Sequence, residues 1–437
     1  MTTIRGYRTR LISGFGIVVG LNGTGSPDVP PTLRQQLINE MSAQGVGRES
    51  IPGPLSRITP TQMLASDTTA VVVVEGIIPP GAFKGSSFDV IVSALPQTQT
   101  SSLEGGRLYS TELRVRGAQV AGPASRTIAT AGGDVFTNPF AGDLGGDPTT
   151  RVDNPRIGQV LGGGFVVEEL PLGLVLNQPS YARSRMIADR INGRFHQTTL
   201  DREPMAVAKS DQYIELNVLK RFERDPKRML ELLSVLFLNP TDNFNQGKAV
   251  EFMRMLDDPA EHRYAAQIAL ALEGMGKRVL PIIRPCYSDK IPTKQMVALD
   301  AGARLGDLEA AEPLEVIARE GEPGKSERAT ALLGKLLLDR PDNFRLAVML
   351  RNLLDSEDAL VRLTAFDALS SIDDATITRR FFEDRLELAM VRSNKPMIYV
   401  TRRASPRIVV FDQSLGFNPP LLYTHGEQDN LMLRWDA

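Results

Sequence analysis

The 437-residue chain is predicted to be an α+β protein: two mixed α/β modules, then an all-α array of paired helices, then a short C-terminal β segment. Three observations predict it. Upstream of Asn239-Pro240-Thr241-Asp242, short β-branched and apolar runs alternate with isolated helices in a Gly-, Thr-, Ser- and Val-rich background. Downstream, apolar residues recur at helical spacing between acidic turns. Near the C-terminus the pattern returns to short apolar runs that read as strands. On this reading the modules span 1–122 and 123–238, the array 242–390 and the β segment 395–437.

In the first module, Gly16 to Leu21 reads as a buried strand between glycines, and Thr69 to Gly76 is β-branched enough to be a second. Phe88 to Leu95 is a third, apolar enough to suggest burial on both faces. Between the first two, Leu33, Leu37, Ile38 and Met41 give Thr32 to Gln44 helical spacing, and Gly45 is placed to stop that helix. The second module repeats the scheme, with a strand from Gly164 to Leu170, a helix from Ser180 to Phe195 and a strand from Tyr213 to Leu219. Ser180 is a candidate helix cap, and Ile187, Ile191 and Phe195 form the inward stripe. The Gly-, Pro-, Asp- and Thr-rich stretch from Gly117 to Pro155 is read as the loop joining the modules.

The array is predicted as helices over Ala260 to Met275, Val279 to Tyr287, Thr293 to Leu305, Ala311 to Arg319, Lys325 to Leu338, Phe344 to Leu354 and Leu360 to Ile372. Two of them read alike. Arg263 precedes Ala265-Ala266 and then Ala269-Leu270, as Arg362 precedes Ala365 and then Ala368-Leu369. Paired helices with small residues at matching steps resemble HEAT-type repeats, with a helical bundle lacking true repetition as the alternative. Strands are expected at Met397 to Val400, Arg407 to Phe411, Leu421 to Tyr423 and Leu431 to Trp435, capping the array or returning to the N-terminal region.

Composition limits function. Fifty basic and 52 acidic residues leave a formal charge of −2, so no global field recruits nucleic acid or an anionic membrane. No apolar run is long enough to cross a bilayer as a helix. The single cysteine, Cys286, has no partner for an internal disulfide, and with His196, His262 and His425 scattered, a Cys/His metal site is not expected. Cys286 itself reads as a small buried thiol. Low cysteine content suits both cytoplasm and periplasm. The N-terminus lacks the basic-then-apolar pattern of a secretory leader, so the chain is either cytoplasmic or numbered after cleavage.

The strongest motif is Gly20-Leu21-Asn22-Gly23-Thr24-Gly25-Ser26. A phosphate-binding P-loop needs a lysine and Ser/Thr directly after its last glycine; here Ser26 follows Gly25, and Pro27 to Pro31 separate the loop from the helix. A dinucleotide-binding G-x-G-x-x-G opening the helix is also missing. The loop, with Gly20, Asn22, Gly23, Thr24 and Gly25, is therefore read as a structural oligomer contact, nucleotide binding being the lesser alternative. There is no G-x-S-x-G elbow and no H-E-x-x-H helix. Glu168 and Glu169 adjoin on an expected strand and so face opposite ways. The mixed-sign Lys220-Arg221-Phe222-Glu223-Arg224 reads as a solvated face. Neither catalytic residues nor a cofactor is expected.

In order, Gly14-Phe15-Gly16-Ile17-Val18-Val19-Gly20-Leu21-Asn22-Gly23-Thr24-Gly25, Thr69 to Val73 leading to Ile78-Pro79-Pro80, the Asp89-Val90-Ile91-Val92-Ser93 strand and Gly105-Gly106-Arg107-Leu108 resemble the bacterial flagellar P-ring protein family. Gly164 to Leu176 and the helix around Ala182 to Asn192 resemble its second module. The resemblance covers roughly residues 11 to 220. It implies a periplasmic, non-enzymatic protein that assembles with copies of itself into a ring around the flagellar rod, associates with peptidoglycan and stacks with the L ring. The contact would be head-to-tail, closing by rotation. The helical array is not part of that family pattern and is a candidate platform for an additional protein. A ring or scaffold in another cell-envelope apparatus is the alternative reading.

Overall fold

The computed structural model describes residues 2–43, 59–115, 126–137, 154–168, 171–201, 203–223, 225–238, 241–382, 386–401 and 407–412. The chain divides into two compact units, one built on residues 4–172 and the other on residues 173–402 with the strand at 407–411.

The first unit is a closed six-stranded barrel. After the short β1 (Thr2–Arg5), its strands are β2 (Arg10–Val19), β3 (Thr69–Ile78), β4 (Ser87–Ala94), β5 (Arg107–Val115), β6 (Ala129–Asp134) and β7 (Ile157–Val166), closing in the order β2-β3-β4-β7-β6-β5 with every pair antiparallel. Alternation fills the interior: Ile12 and Val18 from β2, Val72 and Val74 from β3, Val90 and Val92 from β4, Leu108 and Leu113 from β5. Outside, Ile17 and Val71 lie under α1 (Pro31–Ala43) and the one-turn α2 (Pro60–Leu64), which add Leu37, Met41, Met63 and Leu64. That cover is why the first four residues of β3 are all buried. A true capping box starts α2, with Thr59 and Gln62 exchanging side-chain and backbone hydrogen bonds.

Two sequence expectations change here. β4 is not buried on both faces; its residues alternate, and Ile91 faces outward at 45% exposure. The range read as a second module after residue 122 instead supplies β6 and β7 to the first barrel; β6 lies inside the stretch read as a connecting loop, and β7 overlaps the strand expected from Gly164 to Leu170. The register of β5 on β2 shifts between Ser13 and Val18, and within that stretch a Cβ on Gly16 would sit 2.2 Å from Thr111 Oγ1, so the close approach there needs a residue without a side chain.

The second unit opens with a four-stranded sheet, order β1-β8-β10-β9, from β8 (Leu172–Leu176), β9 (Ala206–Ala208) and β10 (Tyr213–Leu216). Helix α3 (Tyr181–Arg194) packs on it. Ser180 caps α3 as expected, accepting from the Arg183 amide, and Ile187 and Ile191 are buried. Asn192 fixes α3 to β9, donating to Ala206 O at 2.8 Å and accepting from Ala206 N at 2.9 Å.

Helices follow: α4 (Pro226–Ser234), α5 (Asp242–Met255), a 3₁₀ turn Pro259–Tyr264 leading into α6 (Ala265–Met275), and α7 (Leu280–Ile283) between 3₁₀ turns Lys277–Val279 and Arg284–Ser288. Then come α8 (Pro292–Arg304), α9 (Ala311–Glu320), α10 (Lys325–Asp339), α11 (Phe344–Leu353) and α12 (Ala359–Ser370). Pro281 and Pro285 break the expected Val279 to Tyr287 helix into these short pieces. Counting the 3₁₀ turn that leads into α6 as its start, the second helix of each successive pair begins at Pro259, Pro292, Lys325 and Ala359, 33 or 34 residues apart. One turn occurs twice. Arg284 grips Asp307 through Nε (2.9 Å) and Nη2 (3.0 Å), and Arg351 grips Asp374 through Nε (3.1 Å) and Nη2 (2.7 Å), each pair 23 residues apart. Both aspartates are buried, and each follows a residue with positive φ, Gly306 or Asp373.

The unit ends in a sheet of order β11-β12-β14-β13, from β11 (Ile377–Phe382), β12 (Leu386–Val391), β13 (Met397–Thr401) and β14 (Arg407–Phe411). β12 and β14 pair in parallel; the outer pairs are antiparallel. Ala389, Val391, Val409 and Phe411 join the helical core, so this sheet caps the array. The strands expected at Leu421 to Tyr423 and Leu431 to Trp435 lie outside the described residues, as does Gly45.

Candidate assembly surface

The glycine loop hangs from the end of β2 and is tied to its own chain. Leu21 N donates to Thr68 O (2.9 Å), Gly25 N to Asp67 O (2.8 Å), Ser26 N to Thr69 O (2.9 Å) and Gly23 N to Leu21 O (3.0 Å). Thr24 Oγ1 donates to Ser102 O (2.9 Å), and Ser101 N to Thr24 O (2.8 Å). Buried Ser26 accepts from Gln99 N at 3.1 Å. A phosphate cradle needs free, converging amides; these amides already donate to carbonyls. A Cβ on Gly25 would lie 2.1 Å from Thr69 O and 2.6 Å from Asp67 O, so glycine there is a packing requirement. Gly20 and Gly23 have positive φ and, with Asn22, are exposed. Of the five predicted contact residues, Gly20, Asn22 and Gly23 thus form a presented tip, and Thr24 and Gly25 anchor it.

The barrel's outer wall supplies a surface that the sequence reading missed. Leu11 and Ile77 are direct cross-strand partners, 52% and 55% exposed, with Ile91 on the same outward face of the next strand. Ile157 and Phe165 of β7 are also exposed. The signal was present in the alternation of β4 and β7, but their overall apolarity masked it.

The other singled-out residues do not converge. Cys286 is half-buried against the helical core, and burial pushes its thiol pKa up, an inert rather than a reactive setting. His196 and His262 stay apart in sequence, and His425, Glu169 and Arg224 lie outside the described residues. Glu168 sits just past β7, paired with Arg126 at 2.5 Å. Lys220 pairs with Glu223 at 2.7 Å, and Arg221 donates to His196 O while lying over the Phe195 and Phe222 rings. Among the described residues no three His, Cys, Asp or Glu side chains gather as a metal set, and no helix is long and apolar enough to cross a membrane.

What the barrel and loop belong to is decided by comparison. The sequence profile of the family described as flagellar P-ring protein matches residues 1–245. The chain belongs to the flagellar P-ring protein family. The match takes in the whole barrel, its glycine loop, the β1-β8-β10-β9 sheet and α3, and stops within α5. Flagellar P-ring proteins of Geotalea uraniireducens (strain Rf4), Escherichia fergusonii and Caulobacter vibrioides are 33%, 31% and 32% identical over 202, 219 and 218 residues. Those alignments cover 44%, 47% and 48% of this chain and 49%, 54% and 53% of the relatives. The chain thus spans about half the length of the curated relatives it matches.

Proposed function

We propose that the protein is a structural, non-catalytic component of the flagellar basal body that assembles with copies of itself into a P-ring-like bushing around the rod, in the periplasm. The observation that carries this reading is the family match running unbroken through the barrel and the α3 sheet. The barrel's exposed Leu11, Ile77 and Ile91 and the Gly20-Asn22-Gly23 tip are the contact surfaces for neighbouring copies. Rod and L-ring proteins and peptidoglycan are the partners this role brings.

The helices beyond α4 are a HEAT-like array. The 33- or 34-residue step of their second helices and the repeated Arg–Asp turn support that, and stacked helix pairs of this kind present an extended face to an additional protein. Because the array lies outside the family match, it also favours a second reading, a ring or scaffold in another envelope apparatus. Negative-stain electron microscopy of the purified full chain tests the assembly claim. Closed rings are expected; a monomer at every concentration overturns it. Co-purification with rod proteins from the native envelope separates the flagellar reading from the second one.

A further inference from the structure

Two Asn-Gly dipeptides occur in the chain, Asn22-Gly23 and Asn192-Gly193, and the fold treats them oppositely. Asn192 belongs to α3 and is held at both ends of its side-chain amide: Nδ2 donates to Ala206 O at 2.8 Å and Oδ1 accepts from Ala206 N at 2.9 Å. The Gly193 amide lies within the helix and its backbone ladder. Asn22 is exposed, and its side chain makes no hydrogen bond among the described residues. The Gly23 amide donates to Leu21 O at 3.0 Å, a bond that closes only a three-residue turn. The space beside Gly23 is open, the nearest described atom being an Asp67 carboxylate oxygen 3.9 Å from where a Cβ would stand. With Gly20 and Gly23 both at positive φ, Asn22 sits on backbone that glycine leaves free to rotate.

We propose that Asn22 is a site of spontaneous covalent modification, its side-chain amide lost through attack by the Gly23 main-chain nitrogen. The Gly23 amide gives its proton to solvent base, and its nitrogen forms a bond to Asn22 Cγ. The Cγ–Nδ2 bond breaks, and Nδ2 takes up a proton and leaves as ammonia, so a cyclic imide remains. Water then adds to one or the other imide carbonyl and opens the ring. The product is aspartate, or isoaspartate with the main chain rerouted through Cγ. The net reaction is hydrolysis, with water the sole co-reactant and nothing oxidised or reduced. Glycine at position 23 removes the Cβ that would obstruct the approach, and the Asn22 side chain has no bond to give up. At Asn192 the same step must break both Ala206 bonds and open the end of α3. The modification puts a negative charge on a neutral tip. On the reading of that tip as a contact between copies, on which this consequence rests, burial in a closed ring protects Asn22. A subunit left unassembled loses the neutral contact with time.

Peptide mapping by mass spectrometry tests this, on the purified full chain kept in heavy-oxygen water at mildly alkaline pH. The monomer fraction, isolated by sedimentation, should convert Asn22 in the tryptic peptide Leu11–Arg34 to labelled aspartate and isoaspartate. Conversion should be about tenfold or more faster than at Asn192, the ratio reporting the additional opening that α3 demands. In urea the two sites should converge on one rate, because the dipeptide is the same. Asn22→Gln should abolish the reaction in that peptide and Gly23→Ala should slow it, with Asn192 unaffected by either. Native Asn22 reacting no faster than Asn192 overturns the proposal. So does label entering as aspartate alone, which direct hydrolysis without the imide would give. Closed rings give a separate readout. Conversion that stops in them supports the tip as a contact; conversion that continues there removes the tip from the interface and leaves the modification standing.

Discussion

Arg194, the last residue of α3, donates through Nη2 to the main-chain carbonyl of Glu273 at 2.7 Å, and through Nε to that of Gly274 at 2.8 Å. These carbonyls lie at the C-terminus of α6, where the chain's own contribution is the Gly276 amide, which donates to Glu273 O at 3.1 Å. The guanidinium thus does for α6 what a C-terminal cation does, and its charge favours the negative end of the helix dipole. The Glu273 carboxylate is held as well, by Arg228 of α4. One turn upstream of Arg194, Arg190 Nε donates to Phe237 O at 2.8 Å. α3 lies in the family-matched segment and α6 beyond it, so these arginines fasten the array onto the shared part of the chain.

Arg194→Ala should therefore destabilise the second unit, taking its donor from the buried Gly274 carbonyl and leaving the Glu273 carbonyl only the Gly276 amide. Hydrogen bonds from a charged donor are worth about 1.5–3 kcal/mol, and a loss in that range is expected in urea denaturation. Arg194→Lys should recover part of it, since an ammonium supplies charge without the fork that reaches both carbonyls. A variant as stable as the wild type would show that α6 finds other caps.

How much of this was legible beforehand follows from the range of each interaction. The array's helices were readable because each carries its own apolar stripe and acidic turn; the boundaries of α8 to α12 fall within a residue or two of the predicted ones. Barrel closure was not. It pairs Ile12 with Val115 and Val19 with Arg107, about a hundred residues apart, and local periodicity carries no record of such partners. β6, Ala129 to Asp134, is a strand with two glycines, so propensity marked it as loop. β11 was missed because Arg379 and Arg380 interrupt its apolar pattern, although Arg379 is paired with Asp373 at 3.1 Å and with Glu387 at 3.4 Å. The glycine loop was found, but its division into anchor and tip rests on hydrogen bonds that no string of letters displays.

That division predicts two phenotypes from one motif. Gly25→Ala drives a Cβ into Thr69 O and should cost about 1–3 kcal/mol as overpacking, seen as a lowered thermal midpoint. Asn22→Ala, on the exposed tip, should leave stability within about 0.5 kcal/mol and act on assembly alone, read by sedimentation velocity. If Asn22→Ala leaves ring formation untouched, the tip is not a contact.

The barrel wall gives a stronger assembly test. Leu11→Lys with Ile77→Glu keeps the cross-strand pair complementary in charge, so monomer stability should change by about 0.5 kcal/mol or less. An apolar contact between copies would not tolerate the pair, and assembly should fall at least tenfold in apparent affinity, the equivalent of about 1.4 kcal/mol. Unchanged sedimentation at matched concentration would remove this wall from the ring interface.

Acid should unfold the array through a few buried aspartates. Burial pushes the Asp300 carboxyl up, but Arg304 at 2.6 Å and Arg328 outweigh it and hold it below its ordinary 3.8. Asp307 is held down against burial by hydrogen bonds from Arg284 and Tyr287, and Asp374 likewise by those from Arg351 and Thr376. A carboxyl depressed in the folded state adds stability that is complete above the unfolded value and is lost as pH falls through the folded one. The urea midpoint contributed by these groups should therefore be flat from neutrality to about pH 5 and drop only below the ordinary carboxylate range. Asp300→Asn leaves two guanidiniums facing a neutral amide. Breaking a buried pair costs about 3–5 kcal/mol, and since Arg304 and Arg328 are partly exposed the low end is expected. The variant should lose that stability at pH 7 while its acid limb becomes shallower, the wild-type and variant curves converging toward pH 2. Parallel curves would mean that Asp300 contributes by packing and not by charge.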